Sequence, residues 1–147
     1  MRLWRITTSR MAETALDIDC LARAPGRWNP KRVSVIYCSG SVSLALLEAL
    51  WQNPYLAGSF AALPLELPKN ARMERITEPD LPKEWRTAQG IAALRMIGAR
   101  WAVEKRSLVL QVPSARLPQE AIYLINPLHP HFTDLHVGSP QTIDFSL

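Results

Sequence analysis

The sequence predicts a single α+β domain that spans residues 1–147. Its apolar runs of strand length and of helix length follow one another in mixed order, without the regular alternation of a parallel α/β fold. Twelve prolines, most of them between these runs, predict many short elements. Hydrophobic residues make up 48% of the chain and charged residues 20%, the composition of a globular protein with one core.

Four strands and two helices are predicted in the first half of the chain. A short helix followed by a loop is predicted over 9–22, and a longer helix over 42–52. Ser39 or Ser41 can cap the longer helix, because a serine hydroxyl accepts a hydrogen bond from a first-turn amide, and Asn53-Pro54 is expected to end it. The predicted strands have alternating, β-branched or aromatic residues and cover 2–7, 32–38, 58–67 and 71–77.

One long helix and four strands are predicted in the second half. Apolar residues at helical spacing predict a helix over 86–104, in which Gly90 and Gly98 either weaken the helix or allow close packing. The segment 79–85 is predicted to be a loop. The predicted strands are the runs at 107–112, 120–125, 133–137 and 141–145.

The charge of the chain bears on the class of partner. The net charge is +4 and the pI is about 9.4. The cations are scattered, with no lysine-rich tail and no basic–aromatic stripe, so an anionic small molecule, an acidic partner or a solvated basic surface ranks above nucleic acid. No apolar run approaches the roughly 20 residues that span a bilayer, and the N-terminus does not resemble a signal peptide. The sequence therefore predicts a cytoplasmic protein without a membrane partner.

Neither the cysteines nor the histidines predict a metal site. Cys20 and Cys38 are too few for a disulfide framework or a zinc site, and we expect them to be reduced thiols. His129 and His131 are two residues apart, which is poor spacing for zinc. No metal is therefore expected in this chain.

A lone acid, Glu48, interrupts an apolar run over 42–51 that is predicted to form a helix buried on every face. A buried carboxylate is protonated, paired or kept for chemistry, whereas at the edge of a partly exposed face its head reaches water. Tyr37 lies eleven residues upstream and Arg27 ten residues before that, in a loop bounded by prolines. Arginine suits phosphate, so the three side chains together suit an anionic substrate and its sugar. The alternatives are a surface arginine and a core tyrosine.

Polar residues also follow two predicted strands, at positions where a sheet presents side chains to a ligand or simply turns. Ser114 follows the strand at 107–112, and Asn126 and His129 follow the strand at 120–125. No Gly-x-Ser-x-Gly motif surrounds Ser114, so a hydrolase-type serine nucleophile is not expected. The chain also lacks the glycine-rich phosphate loops of the Walker and Rossmann types.

Six short stretches, in order and near the expected spacings, resemble the RES-domain family. This family consists of toxins of bacterial toxin–antitoxin pairs, usually encoded beside an Xre-type antitoxin. Each stretch is weak alone, but together they span almost the whole chain and form a specific signal. They are Leu3-Trp4-Arg5-Ile6, Gly26-Arg27-Trp28-Asn29, Val35-Ile36-Tyr37, Leu44-Ala45-Leu46-Leu47-Glu48, Val112-Pro113-Ser114-Ala115 and Leu124-Ile125-Asn126-Pro127-Leu128-His129-Pro130.

The resemblance implies an ADP-ribosyltransferase-like fold, with a mixed β core and flanking helices, and chemistry on NAD as a substrate rather than a bound cofactor. Its catalytic positions match Glu48, Arg27 and Tyr37. Its substrate-binding positions match Arg5, Arg27, Tyr37 and Ser114. Arg5 and Arg27 are expected to hold the pyrophosphate, Tyr37 to stack on or hydrogen-bond to the nicotinamide half, and Ser114 to fix the nicotinamide or a phosphate. Glu48 is expected to stabilise an oxocarbenium-like ribose.

The implied function is that of a toxin that depletes NAD by cleaving its nicotinamide–ribose bond, with water or phosphate as the acceptor. The alternatives are a mono-ADP-ribosyltransferase with a protein target, and a non-catalytic module that binds a nucleotide or a partner. The implied partner is an Xre-type antitoxin that blocks the site, in a complex that often holds more than one toxin copy. Direct binding of nucleic acid by the toxin is not expected.

The loop around Arg27 departs from the family pattern. Family members usually have a glycine-rich approach to the arginine–tryptophan pair and a glycine soon after it. Here Ala24-Pro25-Gly26 precedes the pair, and Asn29-Pro30 follows it. We therefore expect this loop to be tighter or differently posed.

Overall fold

The strand-forming runs pair into one mixed sheet. The computed structural model describes residues 1–52 and 58–144, and within these ranges the sheet has eight strands. They are β1 (Arg2–Thr8), β2 (Ile36–Ser39), β3 (Ser59–Glu66), β4 (Met73–Arg75), β5 (Val109–Pro113), β6 (Ala121–Ile125), β7 (His136–Val137) and β8 (Gln141–Asp144). Their order is β4-β5-β6-β2-β1-β3-β7, with β8 also paired to β3. Since all described pairs except β4–β5 are antiparallel, the predicted α+β class is confirmed.

Three α-helices flank the sheet in the described part of the chain. They are α1 (Ile18–Leu21), α2 (Val42–Gln52) and α3 (Ile91–Glu104). The Ser41 hydroxyl caps α2, since it accepts a hydrogen bond from the backbone N–H of Leu44 at 3.2 Å. Lys105 ends α3 in a left-handed conformation with φ of 52°. Short 3-10 helices form at Ser9–Thr14, Glu78–Asp80, Ala88–Gly90 and Pro130–Asp134.

Three predicted strands are much shorter than the sequence indicated. The strand expected over 71–77 is extended only at Met73–Arg75. The strand expected over 32–38 begins only at Ile36, and Arg32 has a left-handed backbone with φ of 78° that is incompatible with an extended run. In the strand expected over 133–137, only His136–Val137 is extended. The preceding residues form a 3-10 helix with Pro130 in its first turn, a position that needs no backbone N–H.

The helix predictions also need correction. The segment 9–22, expected to form a short helix followed by a loop, forms a 3-10 helix followed by α1, and the helix expected over 86–104 becomes α-helical only at Ile91. The loop expected over 79–85 includes the end of the 3-10 turn at Glu78–Asp80. Two remaining predictions, Asn53-Pro54 as the end of α2 and residue 145 as part of the last strand, lie outside the described residues.

α2 is not buried on every face, which corrects the expectation for this apolar helix. Only Leu44 and Ala45 are fully buried, whereas Trp51 is 51% exposed. Ala45 packs against Phe60 of β3, and Glu48 is half-buried. One face of α2 therefore covers the sheet, and the other face lines an open cleft.

Both faces of the central strands are buried, because apolar side chains alternate between the two faces. In β5, Leu110 and Val112 pack on the face that carries α3, whereas Val109 packs on the opposite face. β6 alternates in the same way, with Leu124 on the α3 face and Ile125 on the other. The sheet is therefore the middle layer of the domain.

Both cysteines are free, and burial raises the pKa of the Cys38 thiol to about 12.

α3 lies directly against the loop that carries Arg27. A β-carbon on Gly98 would lie 1.8 Å from the carbonyl oxygen of Trp28, so no side chain fits between helix and loop. The Trp28 indole is fully buried, in the same core cluster as Leu94 and Trp101 of α3. Gly98 is therefore a close-packing position, and this contact fixes the loop on the domain.

Gly98→Ala is expected to lower the free energy of unfolding by about 1–3 kcal/mol, because the added methyl group meets rigid backbone. At an ordinary helix position the same change raises stability by about 1 kcal/mol, so the sign itself is informative. Gly40→Ala is the matched control, since a β-carbon there has no atom within 4 Å. Urea unfolding followed by tryptophan fluorescence measures both variants. Equal stability of the two would show that the loop does not pack on Gly98.

Candidate functional site

Glu48 and Ser114 form a hydrogen-bonded pair that joins α2 to the end of β5. Ser114 follows β5 directly and is completely buried, and its hydroxyl donates to Glu48 Oε1 at 2.5 Å. The Ser114 Oγ also accepts hydrogen bonds from the backbone N–H groups of Leu117 at 3.1 Å and Arg116 at 3.3 Å. These two donors occupy the lone pairs of the hydroxyl, so its single proton points to the carboxylate. Ser114 thus donates to Glu48 and holds its carboxyl group in position.

The Tyr37 hydroxyl is held by the loop that precedes β2. It donates to Asn29 Oδ1 at 2.5 Å and accepts from the backbone N–H of Trp28 at 3.0 Å. Burial raises the pKa of Tyr37, so the phenol stays protonated. Asn29 Oδ1 also accepts from the Gly26 N–H, and a β-carbon on Gly26 would lie 2.3 Å from the Tyr37 hydroxyl oxygen. The loop is closed on itself, and Gly26 is the residue that allows the tyrosine to approach.

Arg27 reaches across to the segment before α3. Its Nη1 donates to the carbonyl oxygens of Arg86 at 3.4 Å and Trp85 at 3.5 Å. Burial lowers the pKa of Arg27, the nearby Arg116 lowers it further, and Glu48 opposes both. The guanidinium therefore lies in a region of excess positive charge, which an anion would stabilise.

Arg5 lies in β1, on the other side of Tyr37. Its Nη1 donates to the backbone carbonyl of Tyr37 at 3.5 Å, and its buried Nε has no hydrogen-bond partner among the described residues. Burial lowers the pKa of Arg5, with partial opposition from Cys38 and Tyr37. A cation held in this way adds positive charge to the cleft at a fixed position.

Three adjoining cavities form one cleft around Tyr37 and Gln52, which line all three. The first, the Arg5 lobe, has a volume of about 250 Å³, and its lining includes Arg5, Ile6, Ala45, Glu48, Ala49 and Phe60. The second, the Arg27 lobe, has a volume of about 330 Å³, and its lining includes Arg27, Glu48, Trp51, Arg95 and Arg116. The third, of about 200 Å³, lies between Arg5 and the Gly26 loop. Glu48 lies where the Arg5 and Arg27 lobes meet.

The structure brings together the predicted site residues, with one difference in role. Arg5, Arg27, Tyr37 and Glu48 all line the cleft. Ser114 does not line it, because it lies beneath Glu48 and its hydroxyl is engaged there. The geometry therefore favours a positioning role for Ser114 over the direct substrate contact that was expected.

Two polar residues at strand ends are not part of the cleft. Asn126 donates to the backbone carbonyl of Ala102 at 2.9 Å and accepts from the N–H of Leu128, so it joins α3 to the turn after β6. His129 accepts from the N–H of His131 through Nδ1.

Among the described residues, no group of three His, Cys, Asp or Glu side chains is placed to hold a metal ion. None of the described helices has the length and apolarity needed to cross a membrane.

Sequence reasoning missed two arginines of the cleft. Arg95 lies one helical turn after Ile91, and both line the Arg27 lobe, while Arg95 Nε donates to the Gly26 carbonyl at 2.8 Å. Arg116 lies two residues after Ser114, with its guanidinium 4.4 Å from the centre of the Trp51 ring. The spacing of Arg95 from Ile91 is visible in the sequence, but which face of α3 meets the cleft is not.

The chain is similar to known proteins over most of its length. The model of the RES domain family matches residues 2–147. A Yersinia enterocolitica protein named Toxin Res is 34% identical over 99% of this chain and 96% of its own length. A Sphingobium protein named Prs ADP-ribosylating toxin is 32% identical over 86% of this chain and 83% of its own.

The fold has a counterpart among solved structures. A chain in the crystal structure of the Mycobacterium tuberculosis MbcT–MbcA toxin–antitoxin complex superposes with a TM-score of 0.71 at 16% identity, covering 98% of this chain and 83% of that one. The family match extends over nearly the whole chain, and the Yersinia relative is similar over nearly its whole length. The chain therefore belongs to the RES domain family.

Proposed function

We propose that this RES-domain toxin binds NAD in the cleft and breaks the bond between nicotinamide and ribose. The observation that carries the proposal is the position of the Glu48 carboxyl group, which Ser114 holds where the Arg5 and Arg27 lobes meet. Arginines on both sides suit a substrate with a diphosphate. The name of the Sphingobium relative, an ADP-ribosylating toxin, supports a substrate that carries ADP-ribose.

Glu48 supplies the chemistry of the step. When the nicotinamide–ribose bond breaks, its electron pair leaves with nicotinamide and the ribose becomes oxocarbenium-like, as in glycoside hydrolysis. The leaving group is already cationic in NAD and departs neutral, so no general acid is needed. The carboxylate stabilises the charge that develops on the ribose, and the apolar side chains of the Arg5 lobe strengthen this interaction by excluding water.

Tyr37 and the arginines position the substrate. The Tyr37 hydroxyl both donates and accepts a hydrogen bond within the Gly26–Asn29 loop. We therefore expect the ring of Tyr37, rather than its hydroxyl, to contact the substrate. Arg27 and Arg5 line different lobes, so we do not assign one pyrophosphate to both. We assign the diphosphate to Arg27 and the nicotinamide end to the lobe of Arg5.

The charge of Arg5 favours departure of nicotinamide. In NAD the nicotinamide ring is a cation, and Arg5 nearby is also a cation with one orphaned buried N–H. Bond cleavage moves the positive charge from the ring to the ribose, away from Arg5 and next to Glu48. The repulsion is therefore larger in the ground state than in the transition state, which accelerates the step.

The acceptor of the ADP-ribose is water or phosphate in our proposal. The lobe beside Glu48 holds three arginines and tolerates an inorganic anion. The second candidate is transfer to a protein side chain, which the name of the Sphingobium relative favours. Both candidates share the cleavage step and the same role for Glu48.

We also propose an antitoxin partner of the Xre type that covers the cleft. The structural neighbour was crystallised as a toxin–antitoxin complex, which supports a partner of this kind. An open cleft that consumes NAD would otherwise act on the cell that makes the protein.

The test is incubation of the purified chain with NAD, with and without phosphate, followed by chromatography of nicotinamide and of the ribose product. We expect nicotinamide release in at least one condition, with ADP-ribose as the product in water and ADP-ribose 1-phosphate when phosphate is the acceptor. Absence of release in both conditions, for protein shown to be folded, would exclude NAD depletion. Labelling of a protein in lysate under those conditions would establish the transferase instead.

A further inference from the structure

The Arg27 lobe carries an unusual excess of positive charge. Arg27, Arg95 and Arg116 line it, and Glu48 is the acid among its lining residues. Arg27 and Arg95 are fixed by backbone carbonyls, of Arg86 and of Gly26 respectively. Three guanidinium groups around one carboxylate leave a net positive site, and planar guanidinium groups bind phosphate oxygens in pairs.

Arg116 is held in place by an exposed tryptophan. Its guanidinium lies 4.4 Å from the centre of the Trp51 ring, a distance typical of a cation–π contact. Trp51 is 51% exposed and lies three residues after Glu48 on α2. The backbone N–H of Arg116 donates to Ser114 Oγ. The short segment from Ser114 to Arg116 therefore positions Glu48 at one end and places a cation at the rim of the lobe at the other.

We infer that Arg116, which Trp51 holds in position, is a further cation that binds the diphosphate of NAD in the Arg27 lobe. The inference rests on the proposed function and names the part of the site that recognises the non-reacting half of the substrate. Binding energy from this half would hold the ribose against Glu48 while chemistry occurs.

The contrast between the two lobes fixes the direction of the substrate. The lining of the Arg5 lobe combines apolar side chains with hydroxyl and amide groups and one arginine, so it carries less positive charge than the Arg27 lobe and suits a diphosphate less well. The Arg27 lobe has three arginines and an exposed indole. With Glu48 between them, the ribose that loses nicotinamide lies at the junction and the diphosphate extends toward Arg116.

The chain contains a matched control for the Arg116–Trp51 pair. Arg2 lies over the Trp4 ring at 5.8 Å, and neither residue lines the three cavities that form the cleft. Arg2→Ala removes the same charge from a similar arginine–tryptophan contact. It therefore reports what loss of one surface cation does by itself.

The experiment is isothermal titration of the whole chain with ADP, which carries the diphosphate and lacks nicotinamide. Arg116→Ala is expected to weaken ADP binding about tenfold, the usual effect of one charge-assisted contact. Trp51→Ala is expected to weaken it about threefold, and Trp51→Phe, which keeps an aromatic face, is expected to restore most of the loss. Arg2→Ala is expected to bind ADP like the unmodified chain.

The outcomes separate this inference from the proposed function. If Arg116→Ala and Arg2→Ala bind ADP equally, or if the unmodified chain does not bind ADP, the assignment of the Arg27 lobe is wrong even where nicotinamide release is observed. If Arg5→Ala loses ADP binding while Arg116→Ala keeps it, the substrate lies in the opposite direction. If ADP binds as expected but NAD is not cleaved, the subsite stands and the proposed reaction fails.

Discussion

Glu48→Gln is expected to lower the rate of nicotinamide release from NAD by about 10²–10³-fold without weakening ADP binding. Glutamine has the shape of glutamate, and its side-chain oxygen can still accept the Ser114 hydroxyl that now binds Oε1. The substitution therefore removes the charge and keeps the position. Since that charge acts on a ribose that becomes positive only as the bond breaks, the loss falls on kcat and not on binding. Chromatography of nicotinamide and calorimetry with ADP measure the two quantities.

Glu66→Gln is the control for this substitution. Glu66 forms a surface ion pair with Arg2 at 2.5 Å and does not line the cleft. Exposed ion pairs contribute little to stability, so this variant should keep both activity and fold. Full activity of Glu48→Gln would remove Glu48 from the mechanism. Loss of ADP binding in Glu48→Gln would show that the carboxylate organises the lobe instead of acting on the ribose.

Ser114→Ala is expected to lower kcat for nicotinamide release by about 10–10²-fold, because a catalytic group that is no longer held loses its orientation. The substitution removes the donor to Glu48 and leaves the N–H groups of Arg116 and Leu117 without their acceptor. Loss of the three hydrogen bonds around this completely buried hydroxyl is expected to lower the free energy of unfolding by about 1–3 kcal/mol. ADP binding should change little, because Ser114 lies beneath Glu48 and outside the lining of the cleft.

A buried serine elsewhere separates the structural effect from the catalytic one. Ser34 is 4% exposed, its hydroxyl donates to the carbonyl of Ile18 at 2.7 Å, and neither residue lines the three cavities of the cleft. Ser34→Ala should lose comparable stability and keep kcat, when both variants are assayed well below their unfolding midpoints. Equal kcat in the two serine variants would leave Ser114 with a structural role alone.

The elements of this fold were predictable where local pattern decides them. The strand at Arg2–Thr8, the helix at Val42–Gln52 and its Ser41 cap follow from alternation, helical periodicity and capping chemistry near each residue. The strand expected over 32–38 begins only at Ile36, because Arg32 has a left-handed conformation and donates its N–H to the carbonyl of Ala22. The residues next to Arg32 in sequence do not indicate this contact.

The sequence allowed us to predict which residues form the candidate site, but not which of them contact one another. An acid in an apolar helix indicated that Glu48 needed a partner, yet the partner, Ser114, lies 66 residues away in sequence. Such a contact depends on strand order, which local pattern does not encode. For the same reason Arg95 and Arg116 were missed, because their membership of the Arg27 lobe depends on how α3 and the segment after β5 lie against α2.

The position of β6 between β5 and β2 has a consequence for when the protein becomes harmful. Ser114 follows β5, Glu48 lies on the helix after β2, and the two strands are joined in the sheet only through Ala121–Ile125. We therefore expect the site of a growing chain to assemble only after residue 125 has emerged from the ribosome, although Arg5, Arg27, Tyr37 and Glu48 emerge long before. A chain cut before Ala121 is accordingly expected to lack a folded site.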